Sequence, residues 1–212
     1  FLRQSQGIKM ILFDVGAHHG QDSLDITQHN PNVICYAFEP TPELARLLRI
    51  AAEARGMKDR YHVYEQAISD FDGEADFHMV ENDTGSASLN DFSDNLSETW
   101  PGRTDFVVRG SKKVNVYRLE TWLKIFAPEL TKIDHLHIDA QGSDLAVLKG
   151  LGDSISMVQS GVVEVPQEDV LRLYKGQHTK QEAIDFLEQN GFFIDKVTSQ
   201  VNEDNLYFKR KS

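Results

Sequence analysis

The sequence predicts an α/β protein built on a doubly wound, mostly parallel sheet with helices on both faces. Three observations carry that prediction. Strand-like apolar runs alternate with stretches of helical period along nearly the whole chain. The first run, Ile11-Leu12-Phe13-Asp14-Val15, turns sharply into a polar helix start at Gln21-Asp22-Ser23 through Gly16 and Gly20. Three runs end in acids, Asp14, Glu39 and Asp139, and a doubly wound sheet gathers its strand ends at one edge.

The elements follow in order. Lys9 to Val15 is continuously apolar, as a strand buried on both faces should be. A short helix runs from Gly20 to His29 and closes at Asn30-Pro31-Asn32. Val33 to Glu39 is the second strand, after which Thr41-Pro42-Glu43 supplies an N-cap, a proline at the first helical position and an early carboxylate. That helix runs to about Arg55 and stops at Gly56. Tyr61 to Gln66 reads as strand three, Phe71-Asp72-Gly73 as a turn and Glu74 to Val80 as an edge strand. Lys112 to Tyr117 is a strand by alternation, and Leu119 opens a helix with an apolar face. Ile133 to Asp139 is the fourth main strand, with a helix from Asp144 to Lys149. Met157 to Val165 is a further strand, interrupted at Gly161, and Glu168 to Tyr174 a short helix. Thr179-Lys180-Gln181-Glu182 is a capping box whose helix ends at Asn190-Gly191. Phe192 to Val197 and Leu206 to Lys209 close the chain as two strands.

With 212 residues and 40% hydrophobic content, residues 1–212 are expected to form one domain, with an irregular polar insertion at about 81–111. A connection of that length is functional or disordered, and Gly85 to Leu89 within it is compact enough to close over a ligand. A net charge of −11 argues against nucleic acid as a partner, since phosphate binding rests on Lys and Arg clusters. The one basic cluster, Lys209-Arg210-Lys211, reads as a solubilising tail. Cys35 stands alone in an apolar run, which fits a buried thiol in a reducing compartment. No apolar run approaches the roughly 18 residues of a membrane span, and no signal peptide is visible, so a cytoplasmic location is expected. The chain opens on Phe1 rather than Met, as a trimmed one does.

The glycine turn narrows the ligand. A dinucleotide fingerprint needs a middle glycine for the pyrophosphate, and here that position is His18, with a carboxylate two residues before Gly16. Asp14 would repel a pyrophosphate but suit the ammonium and sulfonium of S-adenosylmethionine. Asp14-x-Gly16-x-x-x-Gly20 resembles the first motif of the class I methyltransferases that use this cofactor. Glu39 closes strand two, where a carboxylate can accept two hydrogen bonds from a ribose diol. Ala67-Ile68 then lies where the adenine would sit.

Across its length the chain resembles the FkbM family of S-adenosylmethionine-dependent methyltransferases. The stretches that carry the resemblance are Phe13-Asp14-Val15-Gly16-Ala17 with Gly20, Phe38-Glu39-Pro40, Ala67-Ile68-Ser69-Asp70 with Gly73, and Ser88-Leu89. They continue with Leu119-Glu120-Thr121, Ile138-Asp139-Ala140-Gln141-Gly142 with Val147-Leu148-Lys149-Gly150, and Gly191-Phe192. The resemblance implies a seven-stranded Rossmann-like sheet and methyl transfer to a hydroxyl of a sugar or secondary metabolite. It implies a cofactor site of Asp14, Gly16, Ala17, His18 and Gly20 at the methionine end, Glu39 and Pro40 at the ribose, and Ala67 and Ile68 at the adenine. Two positions depart from the family's pattern, which usually has Asn where His18 stands and Glu where Gln141 stands.

Methyl transfer is mostly alignment, but an alcohol acceptor must also lose a proton. Asp139 and His137 are the candidate bases, sharing a strand face with His135; Asp139 also suits the methionine ammonium. His18, His19 and Glu164 are weaker candidates. No His, Cys or Asp spacing is diagnostic of a metal. The competing functions are an NAD-dependent oxidoreductase, disfavoured by the missing middle glycine, and a methyltransferase-like protein that binds cofactor without catalysis.

Overall fold

Ile11, Leu12, Phe13, Asp14 and Val15 are all buried, so the first strand is covered on both faces, as its continuous apolar pattern predicts. The computed structural model describes residues 9–80, 84–103, 106–168 and 171–211. In chain order the elements are β1 (Met10–Val15), α1 (Gln21–His29), β2 (Val33–Phe38), α2 (Pro42–Ala54), β3 (Tyr61–Tyr64), β4 (Ala67–Ser69) and β5 (Gly73–Val80). Next come α3 (Leu96–Thr99), β6 (Val108–Arg118), α4 (Leu119–Phe126), β7 (His135–Ile138) and α5 (Asp144–Lys149). β8 (Ser160–Pro166), α6 (Lys180–Gln189), β9 (Phe192–Ser199) and β10 (Glu203–Arg210) complete them.

Seven strands form one sheet in the order β3-β2-β1-β7-β8-β10-β9. All pairs are parallel except those of β10, which runs antiparallel to both neighbours. The strand order reverses between β1 and β7, and ligands of open α/β sheets bind beyond the carboxyl ends at such a switch point. Register sets Asp14 directly beside His137 there.

Side-chain alternation divides the core. Phe13, Phe38, Leu136, Ile138, Val163, Leu206 and Phe208 face Trp122 of α4, Leu145 and Leu148 of α5, and Leu187 of α6. Trp122 meets Phe13 and Phe38 edge-on, at 5.7 and 4.9 Å between ring centroids; each such buried ring contributes about 1.5–3 kcal/mol. On the opposite face α1 and α2 cover β1 to β3 through Leu24, Leu48 and Ala52 against Leu12, Cys35 and Ala37. Cys35 is fully buried, as expected. Farther along that face, His135, His137, Glu164, Asn205 and Tyr207 line a cavity instead.

Local signals explain most boundaries. The capping box on α6 is complete: Glu182 N–H donates to Thr179 Oγ1 at 3.1 Å and Thr179 N–H to Glu182 Oε2 at 2.8 Å, a device contributing about 1 kcal/mol. Thr41 does not cap α2 with its side chain; its N–H donates to Glu39 Oε1 at 2.8 Å, so the carboxylate organises that turn. Strand three stops at Tyr64 rather than Gln66. β4 leaves the main sheet and pairs with β6, which joins β5 to make a second, three-stranded sheet. Gly161 does not interrupt β8. A Cβ there would come within 2.4 Å of both the Leu136 carbonyl oxygen and the Phe208 ring, so the glycine permits close packing across the sheet. The helix expected over 168–174 includes residues outside the described set; Tyr174 forms a bridge with Phe92. Residues 81–83 and 104–105 of the polar insertion are likewise outside it, while 84–103 carry a 3-10 turn and α3.

Candidate active site

The site begins with Glu39, which is 4% exposed although it ends a strand. Its two oxygens accept from the N–H groups of His18 and Thr41, both at 2.8 Å, joining the loop after β1 to the loop after β2. Burial pushes its carboxyl above the usual range, against those hydrogen bonds. A carboxylate has about four acceptor positions, so capacity remains for a vicinal diol.

Gly16 has φ +81°, and a Cβ there would lie 1.8 Å from the Asp139 carbonyl oxygen. Gly20 has φ +62°, and its Cβ would meet Leu48 and the Tyr61 hydroxyl within 2.7 Å. Both glycines therefore serve the passage of the chain over β7 and the seating of α1, and both line the hollow along the β1–α1 loop. His18 also has positive φ, +49°. Glycine occupies that conformation freely and Asn tolerates it, which accounts physically for the family's usual Asn at this position.

Beyond the strand ends lies a cleft of about 520 Å³. Gly16, His18, Glu39, Pro40, Ala67, Ile68 and Asp139 of the expected site line it, as do Gly85, Ala87 and Leu89 of the polar insertion. Asp14, Ala17 and Gly20 line an adjoining hollow along the β1–α1 loop, together with Gly16, His18, His137 and Asp139. The structure thus brings every expected site residue to one edge of the sheet. It adds Phe77, Gln66 and Thr41 to the walls. Phe77 carries a sequence signal, a large inward aromatic on an alternating strand; Gln66 carries none.

The third component is the polar cavity on the open sheet face, about 920 Å³, lined by Asp14, Asp22, His135, His137, Asp139, Glu164 and Tyr207 among others. Among the described residues no Lys or Arg lines it. His137 Nδ1 and Asp14 Oδ1 are 2.7 Å apart, and Asp14 is 3% exposed. Burial alone would lower the His137 pKa, but the Asp14 hydrogen bond and the charges of Asp14, Asp139 and Asp22 push it up to about 8. His135 moves the other way, lowered by burial and by His137. Asp139 accepts from Gln141 Nε2 at 2.5 Å, while Gln141 Oε1 accepts from the Tyr174 hydroxyl at 2.7 Å. Burial raises the Asp139 pKa, and the Gln141 donor and His137 oppose it. Glu164 is pushed up to about 10 by burial and by Asp139, Glu203 and Asp144.

These groups fit S-adenosylmethionine. Glu39 stands where a diol would lie, Pro40, Ala67, Ile68, Phe77 and Leu89 offer an apolar slot for a purine, and Asp139 and Asp14 supply negative charge for a cation. Among the described residues Gln66 Oε1 is buried without a hydrogen-bond partner.

Comparison with known proteins agrees. A model of the methyltransferase FkbM domain matches residues 14–194. The 2-O-methyltransferase NoeI of Sinorhizobium fredii (strain NBRC 101917 / NGR234) is 29% identical over 183 residues, covering 84% of this chain and 70% of that one. Among solved structures, an O-methyltransferase family 2 protein from Planctomyces limnophilus DSM 3776, in complex with apigenin, aligns over 100% of this chain and 52% of its own with a TM-score of 0.51 at 11% identity. An O-methyltransferase family protein from Burkholderia thailandensis aligns over 96% and 51% with a TM-score of 0.51 at 10% identity. This chain spans about half the length of those two structures, and the likeness to them is one of fold. With the NAD-dependent reading set aside by the family match, the chain belongs to the FkbM methyltransferases, and its cofactor is S-adenosylmethionine.

Proposed function

We propose that the protein methylates a hydroxyl of a sugar or small hydroxylated metabolite, with His137 as the base. One observation carries this reading: the Asp14–His137 pair stands in the wall shared by the β1–α1 hollow and the polar cavity. When bound, S-adenosylmethionine supplies a methyl group already activated on a sulfonium. Glu39 holds the ribose, Pro40, Ala67 and Ile68 flank the base, and Asp139, steadied by Gln141, takes the methionine ammonium beside Gly16, Ala17, His18 and Gly20. His137 donates through Nδ1 to Asp14, which leaves Nε2 to take the acceptor's hydroxyl proton. Asp14 then stabilises the imidazolium as Nε2 gains its proton. The cavity's hydrogen-bonding walls, which hold no Lys or Arg among the described residues, suit a hydroxyl-rich acceptor better than a phosphorylated one. The 2-O-methyltransferase activity named for the S. fredii relative supports the same chemistry.

Single-turnover methyl transfer to a panel of sugars and polyols tests this. His137→Gln should slow the chemical step by roughly 10²–10⁴, the scale of general-base catalysis, and leave S-adenosylhomocysteine affinity near that of the parent. The parent's rate should rise with pH through an inflection near 8, where His137 loses its proton. Asp14→Asn should move that inflection downward, because it removes the charge that favours the imidazolium. A His137→Gln variant that keeps the parent's rate and inflection would remove His137 from the chemistry.

A further inference from the structure

His135 takes no part in the proposed chemistry, yet it stands beside the proposed base. The two histidines are two residues apart on β7, so they share a face of the sheet, and both line the polar cavity. Hydrogen bonding fixes the state of the His135 ring. The Ser160 hydroxyl donates its single hydrogen to the Asp134 carbonyl at 2.7 Å. Its oxygen lies 3.1 Å from His135 Nδ1 and can only accept there, which places the imidazole hydrogen on Nδ1 and leaves Nε2 with a lone pair. Among the described residues Nε2 makes no hydrogen bond and is not occluded, so it is open to the cavity that the ring lines. Burial and His137 lower the His135 pKa, which favours the neutral ring. His137 is set the same way, with Nδ1 donating to Asp14 at 2.7 Å. β7 thus presents two imidazole acceptors to one cavity, about 7 Å apart at their backbones. With a hydrogen bond of about 3 Å to each, that span suits hydroxyls on neighbouring carbons of one ring. We infer that His135 is a specificity-determining residue that accepts a hydrogen bond from the hydroxyl next to the one methylated, so that the protein selects vicinal diols over isolated alcohols. The inference rests on the reading that His137 takes its proton from an acceptor in this cavity.

The test times methylation of cis- and trans-cyclohexane-1,2-diol and of cyclohexanol by the intact chain with saturating S-adenosylmethionine. The parent should half-saturate with at least one diol at about a tenth of the concentration it needs of cyclohexanol, the worth of one well-made hydrogen bond. His135→Phe keeps a ring of similar size and removes the acceptor. It should bring the half-saturating concentrations together, because the diols lose a bond that cyclohexanol never made, and it should lower the maximal rate far less than His137→Gln does. His135→Gln returns an acceptor oxygen near the position of Nε2 and should recover most of the preference, which a merely structural role would not do. His137→Gln tests the underlying reading and should slow all three rings alike. A parent without preference, a parent-like preference in His135→Phe, or no recovery in His135→Gln overturns the role of His135 while the cavity's assignment stands. Parent-like rates in His137→Gln, or a parent that methylates none of the three rings, overturn that assignment and the role of His135 with it.

Discussion

At the scale of single residues, Gln141 shows how one amide joins two parts of the site. Its backbone is left-handed at φ +49°. Its Nε2 donates to Asp139 and its Oε1 accepts from Tyr174, so both ends of the amide are used. The family's usual glutamate would keep the Tyr174 bond and replace the donor to Asp139 with a second carboxylate. Two carboxylates at that separation must share a proton. For Gln141→Glu we expect the folded-state pKa of the pair to lie above its unfolded value. The protonated pair is then at no disadvantage at low pH, and stability is lost as pH rises through the folded pKa. Thermal melts from pH 5 to 8 should show the variant falling progressively below the parent, by about 1–3 kcal/mol at the upper end. A gap that stays constant with pH would mean that the two groups do not couple. Residues of this kind are illegible in sequence, because Gln141 and Tyr174 are 33 positions apart and only the fold sets them together. Asp14, Glu39 and Asp139 are legible because each ends an apolar strand. The Asp14–His137 bond follows from strand order, which spacing along the chain does not reveal. Gly16 is legible only in part for a similar reason: the glycine turn is a sequence signal, but the Asp139 carbonyl it makes room for is not.

Among the elements, the segment 84–90 is tied to the turn after β7 at several points. Ser88 Oγ donates to the Gln141 carbonyl at 2.6 Å and Asn90 Nδ2 to Ser143 Oγ at 3.0 Å, while Ser88 also bridges to His78 of β5. Gly85, Ala87 and Leu89 meanwhile line the cleft proposed to hold the cofactor. A ligand that presses on both the segment and the turn should therefore slow their opening together. Hydrogen exchange with S-adenosylhomocysteine should show added protection at 85–89 and at 140–143 in parallel; protection confined to 16–20 would rule out this segment as a cover for the site. The length and polarity of the insertion, with its Gly-Ser-Ala-Ser centre, make the segment visible in sequence, though its partners are not. Elements bounded by local chemistry, such as α6 with its capping box, are read correctly from sequence for the same reason that they form. β4 is not, since what pulls Ala67 to Ser69 out of the main sheet is pairing with Val116 to Arg118, about fifty residues on.

For the whole molecule, the reversal of strand order between β1 and β7 accounts for where the candidate site lies. The loops after β1 and β7 leave the sheet toward opposite faces there, and beside them Glu39 bonds the backbone of the loop after β1 to that of the loop after β2. The same carboxylate is proposed to hold the ribose, so it links cofactor binding to global stability. S-adenosylhomocysteine at a hundred times its Kd should stabilise the parent by about 2.7 kcal/mol, which for a chain of this size is a rise of roughly 5–10 °C in Tm. Glu39→Ala should act twice. Without ligand it leaves the N–H groups of His18 and Thr41 unsatisfied in a buried turn, lowering Tm at a cost of about 1–3 kcal/mol. With ligand it forfeits hydrogen bonds to a charged group, each worth about 1.5–3 kcal/mol, so most of the ligand-induced rise disappears. The second loss is what separates a ribose carboxylate from a structural one. If Glu39→Ala melts lower than the parent but keeps the full ligand-induced rise, Glu39 only ties the loops, and the ribose must be held by other groups of the cleft.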